Sequence, residues 1–215
     1  MSIPRIADYP LPTADTFPQA RVRWQVDPAR AVLLVHDMQR YFLRFYDRQG
    51  SLLPAVIGHI RQLRQWADAH HVPVVYTAQP HQQPAGDRAL LNDMWGPGLP
   101  AADPAEQPII DALTPRPHDT VLDKWRYSAF QRSDLKARMQ GQQRDQLIIC
   151  GVYAHIGCMM TAVDAFMNDI QPFLVGDAIA DFSERQHRLA LDYIATTAGQ
   201  LLTTRQLTAA QPSGG

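Results

Sequence analysis

Three stretches of this chain carry groups that could move a proton, hold an anion or attack a carbon. Asp37 closes the very apolar run Ala31-Val32-Leu33-Leu34-Val35-His36-Asp37. Burial favours the neutral acid form of a carboxyl, and a protonated Asp can donate a proton. The plain alternative is a turn or helix cap. Lys124 lies in Asp123-Lys124-Trp125-Arg126-Tyr127-Ser128. An amine beside Asp37 would either hold it ionised or anchor an anionic substrate. In isolation it reads as a solvated charge between aromatics. The third stretch is Cys150-Gly151-Val152-Tyr153-Ala154-His155-Ile156-Gly157, with the apolar run Leu147-Ile148-Ile149 before it and Met159, Val163 and Phe166 at helical spacing after it. A strand end, a loop with two glycines and a helix start meet there. Glycines let a ligand approach the backbone, and a helix start offers N–H groups to an anion. The same pattern also fits an ordinary βα turn.

Other groups are weaker on their own. Gln79 and Arg88 flank a proline-rich segment, where a guanidinium could clamp a carboxylate; a helical Arg on a surface is otherwise simply solvated. Cys158 invites a nucleophile reading because helix starts lower thiol pKa. Its neighbours Met159 and Met160 instead favour a buried, inert thiol. His36 precedes Asp37 on a strand, so it should point to the opposite face as a packed histidine. Turn packing is the default for His155. The eight histidines form no H-E-x-x-H and no Cys/His cluster with zinc spacing, so no catalytic metal is expected. No G-x-S-x-G elbow, phosphate loop or dinucleotide fingerprint occurs.

The elements that must position these groups can be read in order. Residues 1–29 contain Pro4, Pro10, Pro12, Pro18 and Pro28 and read as an extended arm over the surface. The apolar run ending at Asp37 is a central parallel strand. Val56, Ile60, Leu63 and Ala67 mark an amphipathic helix. Residues 72–77 form a second strand. From Pro80 to Pro117 come eight prolines, which suggests a lid or binding loop with short helical pieces around Arg88–Asn92. Strands follow at 120–123, at the Cys150 stretch, at 172–175 and at 200–203. Helices are expected over 133–139 with Ser133 as cap, from about Gly157, and from a capping box at Ser183-Glu184-Arg185-Gln186. Residues 208–215 are small and polar and are expected to be disordered.

This alternation predicts an α/β fold: a six-stranded parallel sheet in a three-layer α/β/α sandwich, Rossmann-like, as one domain over 30–207. Ligands of such sheets lie beyond the strand carboxyl ends where strand order reverses, here between the first and fourth strands. Asp37, Gln79, Lys124 and residues 153–157 would converge there. At 215 residues with 46% hydrophobic content the chain can bury a core, and it carries no run long enough to span a membrane. A net charge of −1 gives no basic field for nucleic acid. Two cysteines and an N-terminus without an apolar leader suit the cytoplasm.

The segments Leu34-Val35-His36-Asp37-Met38-Gln39, Tyr76-Thr77-Ala78-Gln79-Pro80, Asn92-Asp93-Met94-Trp95-Gly96-Pro97-Gly98, Lys124-Trp125-Arg126-Tyr127-Ser128-Ala129-Phe130 and Gly151–Gly157 together resemble the isochorismatase-like hydrolase family. The resemblance runs from Ile3 to Thr204 and is strongest toward the true isochorismatases of enterobactin and phenazine pathways. Cysteine-dependent amidases of this fold carry an Asp–Lys–Cys triad. Asp37 and Lys124 match its first two members, but Gly157 stands at the cysteine position and Cys158 comes one residue late. One residue along a helix is about 100° of rotation, so Cys158 should face away.

The resemblance implies hydrolysis of isochorismate's enol ether to pyruvate and 2,3-dihydro-2,3-dihydroxybenzoate, with no metal, nucleophile or cofactor. Asp37 would be the acid, beside Lys124. Gln79, Arg88, Tyr153 and the Gly157 N–H would hold carboxylates or a ring hydroxyl, and Phe42, Trp95 and Tyr127 would wall off water. It also implies a homodimer or larger homo-oligomer. No aryl-carrier segment follows Thr204, so the enzyme is expected to stand alone or to meet a separate aryl carrier protein or siderophore synthetase. Three other readings compete: hydrolysis of 2-amino-2-deoxyisochorismate for phenazines, a cysteine amidase such as a nicotinamidase, and a non-catalytic docking module for siderophore assembly. Gly157 argues against the amidase, and the retained Asp37 and Lys124 argue against the docking module.

Overall fold

A computed structural model of the chain describes residues 3–209. Six parallel strands form one sheet: β1 (Ala31–His36), β2 (Val74–Ala78), β3 (Thr120–Asp123), β4 (Gln146–Val152), β5 (Gln171–Ala180) and β6 (Gln200–Leu202), in the order β3-β2-β1-β4-β5-β6. Strand order reverses between β1 and β4, where Leu34 pairs with Ile149 and His36 with Gly151. The helices are α1 (Arg40–Leu43), α2 (Leu52–Ala69), α3 (Ala85–Arg88), α4 (Leu91–Trp95), α5 (Leu135–Gly141), α6 (Met159–Met167), α7 (Glu184–Tyr193) and α8 (Thr204–Ala209).

Every residue of β1 and β4 is buried, because both faces of the sheet are covered. Alternate side chains divide between two cores. Leu33, Val35, Ile148 and Cys150 join Val56, Ile60 and Leu63 of α2 and Leu207 of α8. Val32, Leu34, Leu147 and Ile149 meet Leu135 and Met139 of α5, Ala162 and Ala165 of α6, and Leu191 of α7. This is the three-layer sandwich that the alternation predicted.

The differences have local causes. β5 runs on to Ala180, past the expected end at Val175; the register shifts there, and the second half pairs with Gly151 and Val152. The helix expected near Gly157 is preceded by a π-helical turn over Ala154–Cys158. α5 begins at Leu135, two residues after Ser133, whose Oγ accepts the Leu135 N–H. Ser183 does cap α7, its Oγ accepting from the Gln186 N–H. Thr208 and Ala209, expected to open a disordered tail, end α8 instead; residues 210–215 lie outside the described part. The N-terminal arm does more than cross the surface. Ile6 pairs with Tyr46, and Ile6 and Tyr9 are buried in the first core.

Candidate active site

Where β1 ends, Asp37 takes a left-handed backbone (φ 50°), which Asp tolerates better than most residues. Its N–H donates to the Thr77 carbonyl (3.2 Å) and hydroxyl (3.1 Å), and that hydroxyl donates to Asp37 Oδ1 at 2.6 Å. Lys124, just past β3, places Nζ 2.8 Å from Asp37 Oδ2. Both residues are only 5% exposed, so this is a desolvated ion pair at the carboxyl end of the sheet. Thr77 was not singled out in sequence; its signal is its register opposite His36 at the end of β2.

The cavity above this pair has about 580 Å³ of space between atoms, its mouth included. Its lining contains all nine residues named from sequence: Asp37, Phe42, Gln79, Arg88, Trp95, Lys124, Tyr127, Tyr153 and Gly157. Ile156, within the 153–157 stretch expected there, joins them, and Ile3, Tyr41, Leu91, Leu99 and Phe182 complete most of the wall and were not foreseen. Ile3 comes from the N-terminal arm, and no periodicity could have placed it there.

Arg88 sits at the end of α3 in the proline-rich cover. Its Nε donates to the Gly96 carbonyl (3.0 Å) and its Nη1 to Gln83 Oε1 (2.8 Å), and it pairs with no carboxylate among the described residues. Burial pulls its pKa down from the usual value. A guanidinium left in this state beside a cavity is suited to an anionic ligand. Gly98 (φ 60°) lies under it, where an added Cβ would stand 2.5 Å from Nη2. Trp95 Nε1 donates to the Tyr127 hydroxyl at 2.8 Å, which joins the cover to the segment after β3. Gln39 ties the cover to the sheet. Its Nε2 donates to the carbonyls of Gln79 and Gln107, and its Oε1 accepts the Gln79 N–H.

Three expectations need correction. Tyr153 lines the cavity, but its hydroxyl donates to the Phe42 carbonyl at 2.6 Å, so that proton is not free for a substrate carboxylate. The Gly157 N–H is likewise committed. Inside the π-helical turn the N–H groups of Ile156, Gly157 and Cys158 all point at the Tyr153 carbonyl (3.2, 3.0 and 3.2 Å). The helix start therefore offers an anion none of these three donors. The two glycines also do not make room for a ligand in the way expected. An added Cβ at Gly151 (φ 111°) would collide with the backbone of His36, and one at Gly157 with its imidazole. What approaches both glycines is this chain's own His36.

Cys158 is fully buried in the second core with Ala154, Met159 and Ala162, away from the cavity lining. Burial pushes its thiol well above the usual range, the opposite of an activated nucleophile. His155 has a specific partner. Its Nδ1 lies 2.6 Å from Asp181 Oδ1, and its N–H donates to Asp181 Oδ2 at 2.6 Å. Asp181 also accepts the Phe182 N–H (2.7 Å) and so fixes both the turn after β4 and one cavity wall. An Asp ending the apolar run Ala178-Ile179-Ala180 is the signal for it in the sequence.

Fold and site together define a class: a parallel α/β enzyme with a buried acid–amine pair at the reversal of its strand order. The chain belongs to the isochorismatase family of hydrolases; the Isochorismatase domain model matches residues 31–206. It is 52% identical over 207 residues to enterobactin synthase component B of Escherichia coli K12, covering 96% of this chain and 72% of that protein. It is 51% identical to the phenazine biosynthesis protein PhzD of Pseudomonas fluorescens, covering 95% and 98%. It is also 52% identical to the Bacillus subtilis protein named isochorismatase, covering 91% and 62%. No helix among the described residues is long and apolar enough to cross a membrane.

Proposed function

We propose that the protein hydrolyses the enol ether of isochorismate to pyruvate and 2,3-dihydro-2,3-dihydroxybenzoate, with Asp37 as general acid and no thiol nucleophile. The observation that carries this reading is the cavity floor, where the Asp37 carboxyl reaches the ligand space while Cys158, next to Gly157, is sealed in apolar core. Membership of the isochorismatase family supports the choice of substrate. Charge supports it too. Isochorismate carries two carboxylates, and the cavity presents two cations, Lys124 and Arg88.

In the reaction, Asp37 gives its proton to the terminal CH₂ carbon of the side chain, leaving an oxocarbenium ion beside the new carboxylate. Water adds to the cation, and the proton it sheds returns to Asp37. The resulting hemiketal collapses to pyruvate and the ring alcohol. Lys124 poses a conflict, because its ammonium is paired with the carboxyl that must hold the proton. A substrate carboxylate that takes over Lys124 resolves it, so the acid is armed only when substrate is bound. Arg88 holds the other carboxylate. Phe42, Trp95 and Tyr127 keep bulk water from the cation, and Gln79 is placed to meet the ring.

A second substrate, 2-amino-2-deoxyisochorismate, is favoured by the similarity to the phenazine protein. Comparing kcat/KM for the two substrates separates the readings. The proposal extends to a cytoplasmic homodimer or larger homo-oligomer that supplies siderophore assembly. Its direct test is pyruvate release from isochorismate, coupled to lactate dehydrogenase. Cys158→Ala should keep kcat within about twofold of the parent, as expected for an inert buried thiol. Loss of turnover in that variant with its fold intact would count against the acid mechanism.

A further inference from the structure

His36 is wholly buried and has no part in the steps above. Three observations make it more than packing. Its Nδ1 lies 2.9 Å from the Val152 carbonyl, so that nitrogen carries the proton and donates it to the end of β4. The same nitrogen is 3.6 Å from Asp37 Oδ2. The ring also stands where any side chain at position 157 would have to go. A Cβ there would collide with Cε1 and lie 2.7 and 2.8 Å from Nε2 and Nδ1. Gly151, paired with His36 across β1 and β4, leaves equally little room beside its backbone.

Among the described residues, Nε2 has no hydrogen-bond partner. Burial pulls the imidazole down to about 4, so it is neutral at ordinary pH and adds no second cation beside Asp37.

We propose that His36 is a positioning residue for the reaction, and that it works as a fitted pair with Gly157. The ring fills the space under the turn after β4, ties that turn to β1 through Val152, and by its bulk keeps the turn and the Asp37 carboxyl beside it in register. The glycine at 157 is there because the imidazole needs the volume, and each member of the pair is tolerated only with the other. The inference rests on Asp37 being the acid.

Two substitutions at 36 separate donor from volume. His36→Leu fills the space without a donor, whereas His36→Asn can present an N–H near the Nδ1 position. The expected result is a kcat for His36→Leu lowered about 10- to 100-fold with KM nearly unchanged, as for a displaced catalytic group. His36→Asn should recover most of that loss. Gly157→Ala should lower both Tm and kcat, and adding His36→Ala to it should raise Tm above that of Gly157→Ala alone. His36→Leu turning over like the parent, His36→Asn doing no better than His36→Leu, or Gly157→Ala matching the parent in Tm and kcat would each overturn the pairing. Should His36→Leu fail to fold, the cycle at 157 decides: Tm losses that simply add in the double variant sink the proposal. An Asp37→Asn variant at full speed would instead sink the acid reading beneath it. An inactive Asp37→Asn beside an unaffected His36→Leu would remove this inference alone.

Discussion

The floor and the cover of the cavity are built on different terms. The floor is the carboxyl end of β1, β2, β3 and β4. Asp37 and Thr77 stand on or beside strands paired on both sides, Lys124 follows the edge strand β3, and their polar atoms are fixed by one another. The cover runs from Pro80 to Pro117 in pieces of three to five residues, with Leu90 79% and Met94 54% exposed. It is held by side chains reaching backbone: Gln39 to Gln107, and Arg126 and Arg132 to the Asp87 carbonyl. A rigid floor suits a group whose position must not drift while a proton crosses to carbon. A jointed cover suits groups that admit a ligand and then grip it. With Asp37 as the acid, the difference predicts that Asp37 in the floor governs kcat and Arg88 in the cover governs KM.

The strongest way to break that division is at the floor. Asp37→Asn should lower kcat by about 10²- to 10⁴-fold, the usual range for losing a general acid, with little change in KM. In the cover, Arg88→Ala should act the other way, raising KM about 10- to 100-fold for one lost charge-assisted contact while kcat stays within a few-fold. If both variants changed kcat and KM in the same proportion, floor and cover would not divide the work.

The arm sharpens the comparison through pH. Tyr9 donates to His187 Nδ1 (3.1 Å) and accepts the Asp181 N–H (2.8 Å), while His187 Nε2 donates to the Gly176 carbonyl (2.9 Å). Burial pulls His187 down to about 4, so it is neutral in the fold while the unfolded chain protonates near 6.5. Between these values the unfolded chain binds more protons, and stability falls as pH falls. The loss should be on the order of 3 kcal/mol by pH 4, with His36 acting in the same direction. Thermal melts across this window should show a shallower acid limb for His187→Gln than for the parent. The smallest effect is expected at Gln39, which ties the cover to the sheet. Gln39→Ala should cost about 1–2 kcal/mol and hasten proteolysis within residues 80–117, while Asp37 keeps its Thr77 and Lys124 contacts.

What the sequence made legible follows the same divide. Ala31–Val35 and Leu147–Ile149 are unbroken apolar runs, as doubly covered strands require, and the strand order then places their ends side by side. The strand ends bring Asp37 and Lys124 to the same side of the sheet, and the family resemblance adds that they act together. The fate of individual hydrogen bonds was not legible. The Tyr153 hydroxyl meets a carbonyl 111 residues away, and nothing in local spacing announces it. Gly151 and Gly157 were visible as glycines, but whether a ligand or the chain itself occupies the space beside them depends on a histidine from another strand. The arm was legible as extended because of its prolines, whereas the burial of Ile6 and Tyr9 depends on partners far along the chain.

Ile3 in the cavity wall has a practical side. A purification handle fused ahead of Met1 would join the chain two residues before Ile3, so kinetic constants are to be compared before and after its removal. A handle placed after α8 would follow a helix that contributes nothing to that wall.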